Sequence, residues 1–302
     1  MRIASVKPNN LAVIQDDKFV CIGDYLAERG LLPNPGSMID FIARYDALRN
    51  SLESAIASGK RVPVDPSLLK PPVERPSKIW AAAFNYKRGT SDLDVAAGRG
   101  ETSKFTSEQI LEMTFLKPSS AVIGPEDAIL IPRGERTVYP ELELCAVIGK
   151  EARNVSQNRA LEAVFGYAIM LDMTARAPNP PGTGVGSCRS VRKGFQTFAP
   201  TGPWITTRDE IPDPQNLMMN LWIDGELRQS ANTSGMINGI AELVSFLSEV
   251  TTLYPGDLIS TGNPDSPAFQ RKLVAGERLT AEIEKIGSMN LRVENANDIK
   301  TQ

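Results

Sequence analysis

The sequence predicts an α+β fold that is mostly β: a rolled or barrel-like mixed β-structure preceded by a small N-terminal α/β appendage. From residue 78 onward, short apolar runs such as KIWAAAFN, LELCAVIGK and GYAIMLDM are bounded by Gly, Pro, Asn and Asp, which is typical of many short strands. A proline-rich stretch at residues 62–77 has no clear periodicity and indicates a linker. We therefore expect two units, residues 1–72 and residues 73–302.

The N-terminal unit is predicted to contain short strands followed by one helix. The segments MRIASVKP, NLAVIQ and KFVCIGDY are separated by Asn and Asp turn residues. The next segment has apolar residues at helical spacing, and Gly59 is its expected end. These apolar residues are Met38, Ile39, Phe41, Ile42, Tyr45, Leu48, Leu52 and Ile56. In the second unit, NRALEAVFG and INGIAELVSFLSEV are the two predicted helical segments.

The composition of the chain excludes several functions. The 302 residues include no histidine, which excludes a Ser-His-Asp triad, a Cys-His dyad and a metal site built on imidazole. The net charge of −3, without a basic cluster, gives no reason to expect binding to nucleic acid or to an anionic membrane. The N-terminus is too polar for a signal peptide, and VFGYAIMLDM is too short for a membrane span. Three widely spaced cysteines form no disulfide framework, so we expect a cytoplasmic protein.

A trio of acidic residues is the strongest candidate for a functional site. In a strand, Glu141 and Glu143 of the segment YPELELCAVIGK would point to one face, about 6–7 Å apart at the backbone. The competing interpretation is an amphipathic edge strand whose acids lie in water. Asp172 lies at the end of the very apolar segment VFGYAIMLDM. A buried acid there must be paired, hydrogen-bonded or bound to a metal; the alternative is that Asp172 caps a loop. A site made of carboxylates favours Mg²⁺ or Mn²⁺, with Ca²⁺ behind.

Other charged and glycine-rich segments carry weaker signals. Arg176 is a candidate ion-pair partner for Asp172 or a bidentate ligand for a substrate carboxylate. Lys117 and Lys193 are, by pattern alone, solvated surface charges. The glycines of GTGVGS, residues 182–187, alternate as in a phosphate-binding loop, but no strand precedes them and no Gly-Lys-Ser/Thr follows, so a loop near a site is favoured.

Taken in order, several segments resemble the fumarylacetoacetate hydrolase family. They are FNYK, FLKPSSAVIGP, YPELELCAVIGKEARNVS, GYAIMLDMTAR, KGFQTFAPTGPWITT, DGELRQSANTSGMI and FLSEVTTLYPGDLISTGNP. The resemblance implies a rolled β fold, a homodimer, and activity on 2-oxo and 2,4-dioxo (1,3-dicarbonyl) acids with bound Mg²⁺, Mn²⁺ or Ca²⁺. It implies that Glu141, Glu143 and Asp172 are the metal ligands and that Lys193 lies near the substrate oxygens. The residues expected to contact substrate are Tyr86, Arg176, Gln229 and Thr261.

The chain departs from the family pattern at its catalytic dyad. The histidine and glutamate of hydrolytic members correspond approximately to Gly89 and Asp92, and Gln196 and Asn263 also replace family residues. The segment from residue 89 to 114 is longer than usual and predicts a helical lid. Its Glu108 and Glu112, together with Asp92 and Lys193, are the candidate acid/base groups; the other interpretation of the two glutamates is a solvated helix face.

Three kinds of function therefore stay open. Decarboxylation and isomerisation need a metal-stabilised enolate but no activated water. A C–C hydrolase would have to position water by other means. The third hypothesis is a protein that binds the ligand without turning it over, because the histidine of the hydrolytic family members is missing.

Overall fold

The structure, a computed structural model, describes residues 1–87, 105–134, 136–176, 188–264 and 271–298. Most of the regular structure within these ranges is β. The strands in chain order are β1 Arg2–Val6, β2 Asn10–Gln15, β3 Lys18–Cys21, β4 Lys60–Pro63, β5 Ile79–Ala81, β6 Phe115–Lys117, β7 Val122–Ile123, β8 Ala128–Ile131, β9 Thr137–Tyr139, β10 Leu142–Ile148, β11 Val164–Leu171, β12 Thr174–Arg176, β13 Ala199–Thr207, β14 Met218–Ile223, β15 Glu226–Asn232, β16 Leu258–Ser260, β17 Arg278–Ile283 and β18 Gly287–Asn295.

Helices are fewer and mostly short. Those described are α1 Gly23–Glu28, α2 Met38–Ser58, α3 Ser107–Glu112, α4 Gln157–Ala160, α5 Arg189–Arg192 and α6 Ile240–Val250. In the described ranges α2 is the longest helix and carries charged residues along its length, and the others are shorter, so none of them could span a membrane.

The strands form one large mixed sheet and two smaller sheets. The large sheet has the order β4-β3-β2-β1-β13-β11-β10-β16-β5-β6, with β7 paired to β13. A five-stranded sheet has the order β15-β14-β17-β18-β8, and β12 pairs with β9. The predicted α+β fold with mostly β-structure is confirmed. Within the described residues the large sheet does not close into a barrel, because β4 and β6 are its two end strands.

The N-terminal segment continues the large sheet. β1 pairs antiparallel with β13, with Ile3 opposite Ile205. One buried apolar cluster includes Leu11 and Phe41 from the N-terminal segment together with Ile169 and Ile205. The independence of a unit over residues 1–72 stays a prediction, since the sheet and this cluster both extend across residue 72.

Two predicted helices are confirmed, and one is shorter than predicted. Helix α2 begins after Ser37, whose hydroxyl accepts a bond from the Asp40 N–H at 3.3 Å, and Gly59 follows its last residue. Helix α6 buries the predicted apolar face. The predicted helix over residues 158–166 is wrong at its C-terminal end, because residues 164–166 belong to β11, where Val164 and Phe165 are buried between neighbouring strands.

Candidate functional site

The predicted acidic trio is assembled by two neighbouring central strands. β10 pairs antiparallel with β11, and Leu142 lies opposite Leu171. Glu141 therefore precedes one strand where Asp172 follows the other, and the Asp172 N–H donates to the Glu141 carbonyl at 2.8 Å. One ligand atom from each of Glu141, Glu143 and Asp172 lies within 4.8 Å of the others. The strands thus place three carboxylates at one point, as the sequence predicted.

The competing interpretation of a solvated edge strand is wrong. β10 is a central strand between β11 and β16, and all seven of its residues are buried. Glu143 is 1% exposed and Asp172 is fully buried. Glu141 lies just before the strand and is the most exposed of the three, with 13% of its side chain accessible to solvent.

Glu143 leaves one buried oxygen without a partner. Its Oε2 accepts bonds from the Ser260 hydroxyl at 2.6 Å and from the Gly262 N–H at 2.7 Å. Among the described residues, no hydrogen-bond donor reaches its buried Oε1. Burial first, and then the charges of Asp172 and Glu141, raise the pKa of Glu143 well above its usual range. A buried carboxylate oxygen without a partner is costly, and a cation at the trio would remove that cost.

Asp172 is held by two buried lysines. Lys117 Nζ donates to Asp172 Oδ1 at 2.6 Å, and Lys193 Nζ donates to Asp172 Oδ2. Burial alone would raise the pKa of Asp172, but the charges of Lys117 and then Lys193 outweigh it and hold that pKa below its usual value. Asp172 is therefore ionised at neutral pH. The expectation that Arg176 is the ion-pair partner of Asp172 is wrong, because Lys117 and Lys193 occupy that role. Arg176 is exposed, and its guanidinium carbon lies 5.6 Å from the centre of the Tyr139 ring.

Lys193 connects Asp172 to Glu141. Its Nζ donates to Glu141 Oε2 at 2.8 Å, and the Thr174 hydroxyl donates to Glu141 Oε1 at 2.6 Å. Burial lowers the pKa of Lys193, but the negative charges of Asp172, Glu141 and Glu143 outweigh it and raise the pKa above its usual value. The interpretation of Lys193 as a solvated surface charge is wrong, because its side chain is 5% exposed.

Lys117 is a buried lysine that the sequence pattern did not indicate. Its side chain is fully buried, and its Nζ also donates to the Lys193 carbonyl at 2.7 Å. The surface interpretation of Lys117 is therefore wrong as well. Side chains alternate between the two faces of a strand, so Lys117 lies on the same face of β6 as Phe115. This alternation is the feature of the sequence that could have indicated an inward-facing Lys117.

The charges of the site leave room for a divalent cation. Counted with all three carboxylates ionised, as binding of a metal requires, and with both lysines protonated, the cluster has a net charge of −1. All three candidate ligands are hard oxygen donors, which fit Mg²⁺, Mn²⁺ or Ca²⁺. The donor set, the net charge and the unpartnered Glu143 oxygen are therefore consistent with a metal centre.

Three of the predicted substrate-contact residues lie around this centre. Gln229 is fully buried. Its side-chain oxygen accepts the Leu142 N–H at 3.2 Å, and its side-chain NH₂ donates to the Leu142 carbonyl at 2.9 Å. The Thr261 hydroxyl donates to the Leu144 carbonyl at 2.9 Å. Tyr86 is buried, and burial first, then the charge of Glu143, raises its pKa. Their roles in substrate binding stay predictions.

The remaining predicted acid/base residues lie apart from the trio or outside the described ranges. Glu108 and Glu112 are exposed on α3, and within the described chain neither one bonds to the trio. Asp92 lies outside the described residues, as do Gly89 and the GTGVGS segment. The catalytic roles of Asp92, Glu108 and Glu112 stay predictions.

Asn85 is a further residue that the sequence did not single out. Its side-chain amide donates to the carbonyls of Asn238 and Thr261 at 2.8 and 2.9 Å. Its side-chain oxygen accepts the Asn238 N–H at 2.9 Å. Asn85 thereby fixes the Thr261 segment next to β10. No periodic pattern indicates such a contact, because the partners are far apart in the sequence.

Comparisons with known proteins identify the family of the chain. The protein-family model described as fumarylacetoacetate (FAA) hydrolase C-terminal matches residues 78–294 of the sequence. A maleylpyruvate hydrolase of Aquipseudomonas alcaligenes is 36% identical over 296 residues, which cover 97% of this chain and 99% of the relative. A mitochondrial oxaloacetate tautomerase of Bos taurus is 33% identical over 260 residues, 84% of this chain and 78% of the relative.

A solved structure is similar over nearly the whole chain. It is a maleylpyruvate hydrolase from Sphingobium sp. SYK-6 in complex with manganese(II) and pyruvate. The TM-score is 0.78 at 33% identity, and the match covers 98% of this chain and 99% of that one. The resemblance inferred from the ordered sequence segments is thereby confirmed, and the chain belongs to the fumarylacetoacetate hydrolase family.

Proposed function

We propose that the chain is a divalent-metal-dependent enzyme that acts on 2-oxo or 2,4-dioxo acids by forming an enolate. The unpartnered Oε1 of Glu143 is the observation that carries this proposal. A buried carboxylate pair with a third acid within 4.8 Å is costly without a cation. Glu141, Glu143 and Asp172 would hold the metal, and when bound it would polarise a carbonyl and stabilise the enolate.

Mn²⁺ and Mg²⁺ are the metals that we propose first. The manganese in the similar Sphingobium structure supports Mn²⁺. Oxygen ligands accept Mg²⁺ equally well, and Ca²⁺ is the third candidate. Bound to a cluster of net charge −1, any of them would make the site positive and attract an anionic acid.

Lys193 supplies a second positive charge at the site. Its ammonium bonds both Glu141 and Asp172, and its raised pKa keeps it protonated at neutral pH. It can therefore stabilise a negative oxygen that develops next to the trio. Because Glu141 is the most exposed of the three acids, an incoming acid would approach from its side.

Cleavage of a carbon–carbon bond is the reaction that the relatives favour. In a 2,4-dioxo acid, water would add to the C4 carbonyl and the C3–C4 bond would break. The electron pair of that bond would form the enolate of a 2-oxo acid, which takes up a proton at C3. Two maleylpyruvate hydrolases similar over nearly the whole chain support this reaction.

Tautomerisation or decarboxylation is the second candidate. It is motivated by the absence of histidine, since no imidazole can take the proton from water. In tautomerisation a proton leaves the enol oxygen and another is added to carbon, so no water attacks. The similar oxaloacetate tautomerase supports this alternative.

A Glu143→Gln variant tests the metal centre. It keeps the shape of the side chain but removes the charge next to the other carboxylates. With Mn²⁺ and oxalate, a mimic of an enolate, we expect wild type to gain about 3 kcal/mol at 100-fold saturation, which raises its Tm by about 5 °C or more. We expect no such rise in Glu143→Gln.

Glu277→Gln is the matched control, because Glu277 is a buried glutamate that bonds Arg271 and the Val274 N–H instead of the trio. It should keep the Mn²⁺–oxalate response. If wild type shows no response, or if Glu143→Gln responds as strongly, the metal centre is disproved.

Product analysis separates the reactions. With a panel of 2,4-dioxo acids and oxaloacetate, released pyruvate together with a second acid indicates C–C hydrolysis. Loss of enol absorbance without cleavage indicates tautomerisation, and released CO₂ indicates decarboxylation. Binding without any product would favour the third reading, a ligand-binding member of the family.

Two further predictions rest on the resemblance and on the cysteines. We propose a homodimer, which sedimentation would test. We also propose a cytoplasmic location, with which the three free cysteines Cys21, Cys145 and Cys188 are consistent.

A further inference from the structure

Arg189 lies next to the proposed active site in an unusual aromatic setting. It is the first residue of α5, four residues before Lys193. Its guanidinium carbon lies 5.4 Å from the ring centre of Phe84 and 5.6 Å from that of Phe115. Its Nη1 donates to the Met113 carbonyl at 3.1 Å. Arg189 is therefore held by two rings and one carbonyl instead of extending into water.

Phe115 lies close both to this guanidinium and to the ammonium of Lys193. Lys193 Nζ lies 5.4 Å from the centre of the same ring that Arg189 contacts. The separation between Lys193 Nζ and the Arg189 guanidinium carbon is thus at most about twice that distance. Burial first, and then the charge of Arg192, lower the pKa of Arg189, while the charges of Asp172 and Glu141 raise it.

An exposed aromatic side chain, Phe84, lies against Arg189. Phe84 is 46% exposed and has a φ of 59°, a backbone conformation that is uncommon for an aromatic residue. Strained residues of this kind cluster at ligand-binding sites. Arg189 is accordingly a cation at an aromatic rim formed by Phe84 and Phe115.

We propose that Arg189 binds a second carboxylate at the far end of the substrate, so that the chain selects dicarboxylic 2,4-dioxo acids. This inference rests on the proposed function. One end of the substrate, its carboxylate and 2-oxo group, would lie at the trio and Lys193. The other end would reach the Arg189 guanidinium along the Phe115 ring.

The dimensions and the chemistry of the rim agree with this assignment. A seven-carbon chain with six carbon–carbon bonds of about 1.5 Å spans roughly 7–8 Å when extended, which fits within the limit set by the Phe115 contacts. A guanidinium has five N–H donors in a planar fork that matches a carboxylate, and in the described chain the Met113 carbonyl accepts one of them. The flat rings of Phe84 and Phe115 suit a conjugated carbon chain between the two charged ends.

The test compares a dicarboxylic and a monocarboxylic substrate. Maleylpyruvate carries a carboxylate at each end, whereas acetylpyruvate keeps the 2,4-dioxo acid end and lacks the second carboxylate. In Arg189→Met we expect kcat/KM for maleylpyruvate to fall about 100-fold, mainly through KM, because a charge-assisted pair is lost. For acetylpyruvate the same variant should change kcat/KM by less than about 3-fold.

Two variants control for charge and for geometry. Arg192→Met removes the same charge from the same short helix and should leave the ratio of the two substrates unchanged. Arg189→Lys keeps the charge but loses the planar fork, and we expect an intermediate loss of about 10-fold for maleylpyruvate. An equal effect of Arg189→Met on both substrates, or no effect on either, overturns the proposal.

Binding of Mn²⁺ and oxalate distinguishes a failure of this inference from a failure of the proposed function. Oxalate occupies only the metal end, so Arg189→Met should bind it as wild type does. If wild type binds neither Mn²⁺ nor oxalate, the proposed function itself is wrong. If wild type binds both acids without turnover, calorimetric affinities for maleylpyruvate and acetylpyruvate replace kcat/KM, and equal losses in Arg189→Met again overturn the proposal.

Discussion

At the scale of single residues, the site is a compact set of buried charges. Asp172 accepts bonds from two lysines, and Glu143 accepts bonds from a hydroxyl and a main-chain N–H while one of its oxygens has no donor in the described chain. Buried charges are retained only when partners or metals compensate their desolvation. The two lysines compensate Asp172, so the remaining deficit lies at Glu143, where a cation would act.

Lys117 is expected to stabilise the fold through Asp172. In Lys117→Met, Asp172 loses one of its two ammonium partners, and we expect the metal-free protein to lose about 3 kcal/mol of unfolding free energy. Urea denaturation at pH 7 in the presence of chelator measures this loss.

The exposed ion pair between Lys150 and Asp46 provides the comparison. Lys150→Met should cost less than about 1 kcal/mol, because solvent screens this pair. Equal losses in the Lys117 and Lys150 variants would contradict the structural role that we assign to Lys117.

At the scale of secondary structure, the site depends on two strands that are buried along their whole length. β10 and β11 lie side by side in the middle of the large sheet, and every residue of both is buried. Buried central strands are rigid supports, so they hold carboxylates at fixed positions. The same burial encloses Tyr167 in β11, whose hydroxyl has no hydrogen-bond partner among the described residues.

Tyr167 should make stability depend on alkaline pH. Burial raises its pKa from 10.0 to about 12, against a smaller lowering by Arg208. Between these values the unfolded chain loses the phenolic proton while the folded chain keeps it. Stability therefore is unaffected below pH 10 and falls as the pH rises through that window, by roughly 1 kcal/mol at pH 11.

Tyr167→Phe should remove this loss and should also relieve a buried hydroxyl without a partner. We expect the variant to be more stable than wild type by about 1 kcal/mol at pH 8, and the difference to grow at pH 11. Urea denaturation at both pH values measures it. A difference that stays constant or shrinks with rising pH would show that this phenol ionises normally in the folded state.

At the scale of the whole molecule, the large sheet connects the N-terminal segment to the strands that position the acidic trio. β1 to β4 extend the sheet beyond β13, and Phe41 of α2 packs in the same cluster as Ile169 of β11. Removing residues 1–72 would therefore expose an edge of the sheet and part of its core. The trio lies at the ends of β11 and β10, which are the first and second strands beyond β13.

We expect the full-length chain to unfold in one cooperative transition. Since sheet and core are shared across residue 72, neither part should melt alone, and the calorimetric and van't Hoff enthalpies should agree. Differential scanning calorimetry of the metal-free protein measures both. Two separated transitions would instead support an independent N-terminal domain.

The sequence alone determined the fold class, the family and the three metal-ligand candidates. Period-2 alternation and turn residues report strands locally, and the Glu-x-Glu spacing places Glu141 and Glu143 on one face because a strand repeats every two residues. The order of the segments added the family. These features are local in the chain or depend on order, so they can be read without coordinates.

Only the tertiary structure decided which charges meet. Lys117 and Lys193 look like surface residues in the sequence, yet both contact Asp172, because β6 and the segment after α5 converge on the end of β11. Arg189 and Phe115 are 74 positions apart in the sequence and still touch. Burial and pairing of charges depend on contacts between distant segments, and a linear pattern of residue types carries no distance between such segments.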